Sequence, residues 1–212
     1  MQRIYPFRRK NSIGGRKWYE DININYTMNS INQVTTVDTL FGQLQLQDFN
    51  NGVRHSIPIK SSFNLLNYIN VTNSINYTER WYFKHFTKEW NSGMLVEDGD
   101  TTFGYLDVDT IEGFRAARDF NFSSAFSTKV YVFYNFDVNW LKKFPVQKIR
   151  HVIDPRVSFT YTPDFGKQNW GYYRYYQRPG DTMASEPIAY SIFESLIYGS
   201  PPRGESGRIS FS

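Results

Sequence analysis

The chain has 212 residues and not one is cysteine. Disulfides and thiolate metal sites are therefore excluded, and thiol usage reveals no redox compartment. No window of 18 consecutive apolar residues exists, which excludes a transmembrane helix. Mean hydropathy is low, −0.54. A strand that shows only one face to lipid needs no continuous apolar run, so low hydropathy counts against membrane helices and not against membrane strands. Alanine and leucine, two strong helix formers, are scarce. Histidine is limited to His55, His85 and His151, far apart and without metal-ligand spacing; no metal or cofactor is expected. The first ten residues hold no apolar stretch of the kind a secretory leader needs. Basic residues outnumber acidic ones by only 24 to 20. Their dense clusters are Arg8-Arg9-Lys10 and Lys142-Lys143, and without a basic stripe no nucleic-acid partner is indicated.

What the chain does have is aromatic residues, 16 Tyr and 18 Phe among them, together with abundant Asn, Ser and Thr. That is a strand-forming composition. The clearest stretch is Ile69 to Lys84. One alternate set, Ile69, Val71, Ile75, Tyr77, Trp81 and Phe83, is apolar and ends in aromatics, with Asn73 and Glu79 as its polar members. The other set, Asn70, Thr72, Ser74, Asn76, Thr78, Arg80 and Lys84, is polar, with Tyr82 among it. A period of two puts the sets on opposite faces of a strand. Globular strands run about 5–6 residues, whereas this pattern runs far longer, and aromatics collect near one end as they do at a membrane interface. The apolar set is the candidate lipid-facing surface and the polar set the candidate lumen-facing surface of a transmembrane barrel.

Elsewhere the pattern recurs. Trp18–Met28 alternates, with Ile22, Ile24, Tyr26 and Met28 on one face, after a loop over residues 1–17 broken by Gly14-Gly15. Asn51-Gly52 has the composition of a two-residue hairpin turn, pairing residues 44–49 with 53–59. His55–Leu65 alternates through Pro58, whose missing N–H predicts an edge or bulge. Leu66-Asn67 leaves room only for a tight turn. Residues 87–113 are polar and acidic and read as a long loop. From Arg118, apolar residues at even positions run to Tyr134 in one long strand, or in two strands with a turn near residues 127–129. A connection containing Pro145 spans 138–148. Arg156–Thr162 alternates again, Pro163-Asp164 breaks it, and 166–206 is a long Tyr-, Gly- and Pro-rich excursion. Alternating short and long connections fit an outer-membrane barrel, with short periplasmic turns and long external loops. The expected fold is all-β: an antiparallel transmembrane β-barrel, of which residues 1–212 supply about six to eight strands. Arg208-Ile209-Ser210-Phe211-Ser212 ends inside an alternating pattern, so the chain is expected to be an internal piece of one larger barrel domain.

Several segments together, I75-N-Y-T-E-R-W-Y-F-K84, I149-R-H-V-I-D-P-R-V-S-F-T-Y-T-P-D-F165, Y190-S-I-F-E194, Y198-G-S-P-P-R-G-E-S-G207 and G52-V-R-H-S-I-P-I59, resemble the barrel of the lipopolysaccharide-assembly family LptD (OstA-like). The resemblance runs from about Trp18 to the end. It implies the outer membrane of a Gram-negative cell and a very large barrel. It implies an LptE-like lipoprotein plug in the lumen and a periplasmic Lpt bridge that delivers lipopolysaccharide through an N-terminal jellyroll, which these residues do not include. It also implies release of lipopolysaccharide sideways into the outer leaflet. Family members carry cysteines linking jellyroll and barrel; this chain has none.

Three other readings follow from the residues alone. An enzyme would need a triad such as His151, Asp154 and Ser158, but on a strand His151 and Ser158 point to opposite faces. The acid pairs Glu97-Asp98 and Asp107-Asp109 read as solvated charge or weak cation sites in a loop. Trp170-Gly-Tyr-Tyr-Arg-Tyr-Tyr176 has the composition to stack sugars, as in a soluble aromatic-rich sandwich, or to pack as a loop that caps a barrel. Porins and TonB-dependent receptors share the alternation.

Overall fold

Alternating side chains with few helix formers give strands throughout. The computed structural model describes residues 4–10, 17–35, 42, 48–97, 100–135, 148–178 and 187–212. Its strands are β1 (Asn23–Ile24), β2 (Thr27–Gln33), β3 (Asn50–Leu65), β4 (Ile69–Glu97), β5 (Asp100–Thr128), β6 (Val130–Asn135), β7 (Lys148–Ile153), β8 (Arg156–Thr162), β9 (Tyr173–Tyr176), β10 (Ile188–Ser191) and β11 (Ser206–Phe211). A seven-stranded antiparallel sheet follows chain order, β1 and β2 on the flank of β3, then β4, β5, β8 and β11. β6 pairs with β7, and β9 with β10. Among the described residues no helix is long and apolar enough to cross a membrane.

Two prolines explain where strands break. Trp18–Met28 is not one strand: Trp18–Asp21 form a 3-10 turn, and Asn25-Tyr26 interrupt β1 and β2. Both short strands nevertheless hold one register against β3. The gap lies where the Asn25 N–H donates to the Pro58 carbonyl (3.1 Å) and Pro58 has no N–H to return. Pro58 therefore sits inside a strand paired on both sides, neither at an edge nor at a bulge. Likewise β5 and β6 are one path interrupted at Lys129: β6–β7 continues the register of β5–β8. There the Thr128 N–H donates to the Pro155 carbonyl (3.2 Å), and Pro155 again cannot reciprocate. No turn intervenes.

Other expectations are corrected. Asn51-Gly52 is not a hairpin turn. Both residues lie in β3 opposite Ile31 and Asn32, and Gly52 is absent from the left-handed glycines. Its smallness serves packing instead, because a Cβ there would stand 2.9 Å from the Ile197 side chain. Residues 44–47 and 138–147, parts of the expected hairpin and Pro145 connection, lie outside the described residues, as do 11–16 of the first loop. Ile4 of that loop bridges Ile24. The expected loop at 87–113 is a hairpin: β4 and β5 pair on to Glu97 and Asp100. Two register shifts, between Tyr82 and Lys84 and between Asn91 and Met94, scramble the period of two and hide the strands from pattern reading. The tight turn after Leu65 is present, with Leu66 and Asn67 left-handed (φ 52° and 62°).

The described residues of the excursion after β8 are structured. They carry a 3-10 turn at Gln168–Trp170, the β9–β10 hairpin and most of the buried core. Phe165, Tyr172, Tyr190, Ile192, Phe193 and Leu196 close over Tyr82 and Ala117 of β4 and β5. Tyr82 is fully buried, stacks on Phe193 at 4.9 Å and donates its hydroxyl to the Gly199 carbonyl at 2.6 Å. Burying such a ring is worth about 1.5–3 kcal/mol. This strap also closes strand edges. The Phe86 N–H donates to the Ile192 carbonyl, the Lys88 N–H to the Tyr190 hydroxyl, and the Arg118 N–H to the Tyr172 hydroxyl. Part of the aromatic run 170–176 goes into this packing: Tyr172 is buried and Tyr176 packs on Tyr190 at 6.1 Å, while Trp170 and Tyr175 stay exposed.

Candidate functional site

The site is the sheet itself, because its register sorts side chains into two unlike faces. In one set stand Met28, Val53, Ile57, Ile59, Phe63 and Leu65, then Ile69, Val71, Ile75, Tyr77 and Trp81 of β4. Phe120, Phe122 and Phe126 of β5, Val157, Phe159 and Tyr161 of β8, and Ile209 and Phe211 of β11 continue it. Side-chain contacts fix this face: His55 packs on Trp81 at 4.2 Å, and Asn73 accepts a 2.7 Å bond from Ser124. In the other set stand Asn70, Thr72, Ser74, Asn76, Thr78 and Arg80. The Ser74 and Ser123 hydroxyls bond at 2.6 Å, Asn76 donates to Asn121 at 2.9 Å, and Arg80 pairs with Asp119.

The apolar face is open to its surroundings. Ile75 is 40% exposed, Phe126 43% and Phe211 77%. Val71, opposite Phe63 and Phe126, is buried. A contiguous exposed apolar surface of this extent on a soluble monomer would mark an interaction surface. Ile69 to Trp81 covers about 40 Å along the strand at about 3.3 Å per residue, or roughly 28–33 Å of height at a tilt of 35–45°. That matches a bilayer's hydrocarbon core of about 30 Å. At one end of this span a row of rings runs from the break between β1 and β2 across β3, β4 and β5. The Tyr26 hydroxyl bonds His55 Nδ1 at 2.8 Å, His55 packs on Trp81, Trp81 meets Phe114, and Phe114 meets Phe83. In the same place Glu79 accepts from the Tyr77 hydroxyl, Trp81 Nε1 and Arg118 Nε, so this face's charges are paired beside the ring row.

The polar face changes along its length. Asn70 and Thr72 are exposed near the tight turn, whereas Thr78, Arg80 and Tyr82 are buried toward the strap. Of the expected polar set, Asn70 to Arg80 share this face. Lys84 lies beyond the register shift, where strict alternation no longer carries its placement. Of the apolar set, Ile69, Val71, Ile75, Tyr77 and Trp81 share the other face, and Phe83 joins it through Phe114. His151 in β7 and Ser158 in β8 fall on opposite sides of the shared register.

The strap's role was not visible in any short motif. Its anchor is Asp164, whose Oδ1 accepts from the Gly166 and Gly204 amides, both at 2.7 Å. One carboxylate thus ties together both ends of a 40-residue excursion. The Gly204 amide first, then that of Gly166, holds the Asp164 carboxyl below its ordinary range, against a smaller opposing effect of burial. Gly166 has no room for a Cβ, which would collide with Arg203 Cγ.

Compared with known proteins, no curated protein and no solved structure matches the chain. A family model described as LptD protein matches residues 1–212.

Proposed function

Because the chain belongs to the LptD protein family, an outer-membrane family of lipopolysaccharide transport and not a family of enzymes, we propose that it forms part of the barrel wall through which lipopolysaccharide enters the outer leaflet. The observation that carries this reading is the two-faced sheet. One face is mainly apolar from strand to strand, over a height that fits a bilayer, and the other is polar. A wall of that kind satisfies its backbone within the sheet, shows hydrocarbon to lipid, and keeps a polar passage for a sugar-bearing substrate.

In this reading Ile69, Val71, Ile75, Tyr77, Trp81 and Phe83 face lipid, and Asn70, Thr72, Ser74, Asn76, Thr78, Arg80 and Lys84 face the lumen. β1 and β2 on one side and β11 on the other pair with only one neighbouring strand among the described residues. Further strands are required for closure, and residues 1–212 are one stretch of a single larger barrel domain. The ring row at Tyr26, His55 and Trp81 lies at the outer interface, so the strap sits within the outer mouth. An LptE-like lipoprotein would then fill the lumen below it, and a periplasmic Lpt bridge would load the substrate through an N-terminal jellyroll. Depleting the protein from its cell tests the reading: lipopolysaccharide at the cell surface is expected to fall several-fold while its synthesis continues. Unchanged surface lipopolysaccharide would overturn it.

A further inference from the structure

Charge is distributed unevenly between the faces, far more than composition requires. Over the chain, bases exceed acids by 24 to 20. On the polar face of the sheet, the register collects Arg54, Lys60, Arg80, Arg115, Arg156 and Arg208, and a single carboxylate, Asp119. Asp119 is already held by Arg80. The other five cations are exposed, and among the described residues none has a carboxylate in ion-pair range. The acids stand elsewhere, with Glu89, Asp107, Asp109 and Glu112 on the projecting part of the β4–β5 hairpin.

These cations also fall at successive heights. Arg156 lies level with Asn70, next to the tight turn. Lys60 and Arg208 share one row, through Ser74, Ser123 and Thr160. Arg54 is level with Arg80 and Arg115 with Tyr82, at the strap. The steps between heights are roughly 13 Å and then about 20 Å along the strands, at about 3.3 Å per residue. Between the cations lie hydroxyls and amides that hydrogen-bond to one another. A single-sign wall of this kind concentrates anions near it, the more so where low-dielectric walls confine the field. Arginine's planar fork matches the oxygens of a phosphate group, and lysine adds a point charge.

We propose that the polar face is an anion track for the phosphate groups of a lipid-borne headgroup, with Arg156, then Lys60 and Arg208, then Arg54 and Arg115 as successive holding points. The inference deepens the barrel-wall reading and rests on it for the enclosure of this face. The track explains why the sheet carries unpaired cations on one side only. It also assigns Lys60 and Arg208, level with each other on β3 and β11, as the middle pair of holding points.

The test uses the full-length protein in detergent, with Lys60→Glu, Arg208→Glu and the double variant beside Lys60→Arg. Binding of lipopolysaccharide is measured beside that of phosphatase-treated lipopolysaccharide and of inorganic phosphate. Retained heat-modifiable migration on gels shows that each variant is folded. The expected result is a weakening of about tenfold in the double variant, a similar loss on phosphatase treatment, no further loss when the two are combined, and retention in Lys60→Arg. Equal binding by the folded double variant, or equal binding of the phosphatase-treated ligand, would overturn the proposal. So would inorganic phosphate binding as tightly as the lipid, which would make this a free-phosphate site. Surface lipopolysaccharide after depletion reports on the transport reading separately, so either idea can fail without the other.

Discussion

At Asp164 a single side chain fastens a long insertion by accepting two backbone N–H bonds from opposite ends of it. Because those amides favour the charged form, the folded carboxyl titrates below its ordinary value of 3.8. The clamp is therefore complete above that ordinary value and is lost as pH falls through the lowered one. Limited proteolysis of the strap between pH 5 and pH 2 is expected to accelerate only at the acid end. Asp164→Ala is expected to make the strap sensitive at every pH. Tyr82 supplies the opposing surface. Tyr82→Phe forfeits one hydrogen bond, about 0.5–1.5 kcal/mol. Tyr82→Ala empties a fully buried site and costs about 3–5 kcal/mol, and chemical denaturation in detergent measures both. Neither residue announces itself in the sequence. Asp164 follows a proline and reads as a strand breaker, and Tyr82 sits in the polar alternate set, where its ring looks misplaced until the strap is seen to cover it. Gly52 misleads in the same way, since Asn-Gly reads as a turn while the residue's real constraint is the nearby Ile197 side chain.

Among the elements, the strands read best from the sequence were those with one clean period. Ile69 to Trp81, the His55–Leu65 part of β3, and β8 with bounds Arg156–Thr162 emerge directly from alternation. The projecting part of the β4–β5 hairpin did not, because two register shifts change the parity of its side chains and polar residues occupy both faces. The strand breaks at Asn25-Tyr26 and Lys129 are likewise invisible on their own strands, since the proline responsible stands on the neighbour. This has a testable consequence. Pro58→Val restores an N–H opposite Asn25, and amide exchange there is expected to slow as the ladder closes between β1 and β2. Unchanged exchange would mean that something other than the missing donor keeps the strands apart. The two faces also predict opposite tolerance. Ile75→Arg is expected to destabilise the barrel in lipid by about 2–4 kcal/mol if it lies near the bilayer midplane, whereas Ser74→Arg on the adjacent position leaves stability nearly unchanged. Urea unfolding in vesicles compares them.

For the whole molecule, the stabilising core is not sandwiched between two sheets but lies at one end, under the strap, while most of the sheet is a single layer with an exposed apolar side. A single layer is a poor soluble fold, because it leaves one face of every strand without a partner. In a bilayer the same surface is in its preferred solvent. That contrast makes the orientation of the faces the central claim, and the absence of native cysteine in these 212 residues makes it directly measurable. Single cysteines placed in turn at positions 69 to 81 would carry spin labels, in full-length protein reconstituted in lipid vesicles. Collision with lipid-soluble oxygen and with a water-soluble nickel chelate would then be read at each position. The account predicts a period of two, with oxygen access highest at Ile69, Ile75, Tyr77 and Trp81 and chelate access highest at Asn70, Thr72, Ser74 and Asn76. Chelate access on both faces, without the alternation, would contradict a membrane wall and leave the sheet an ordinary water-facing one.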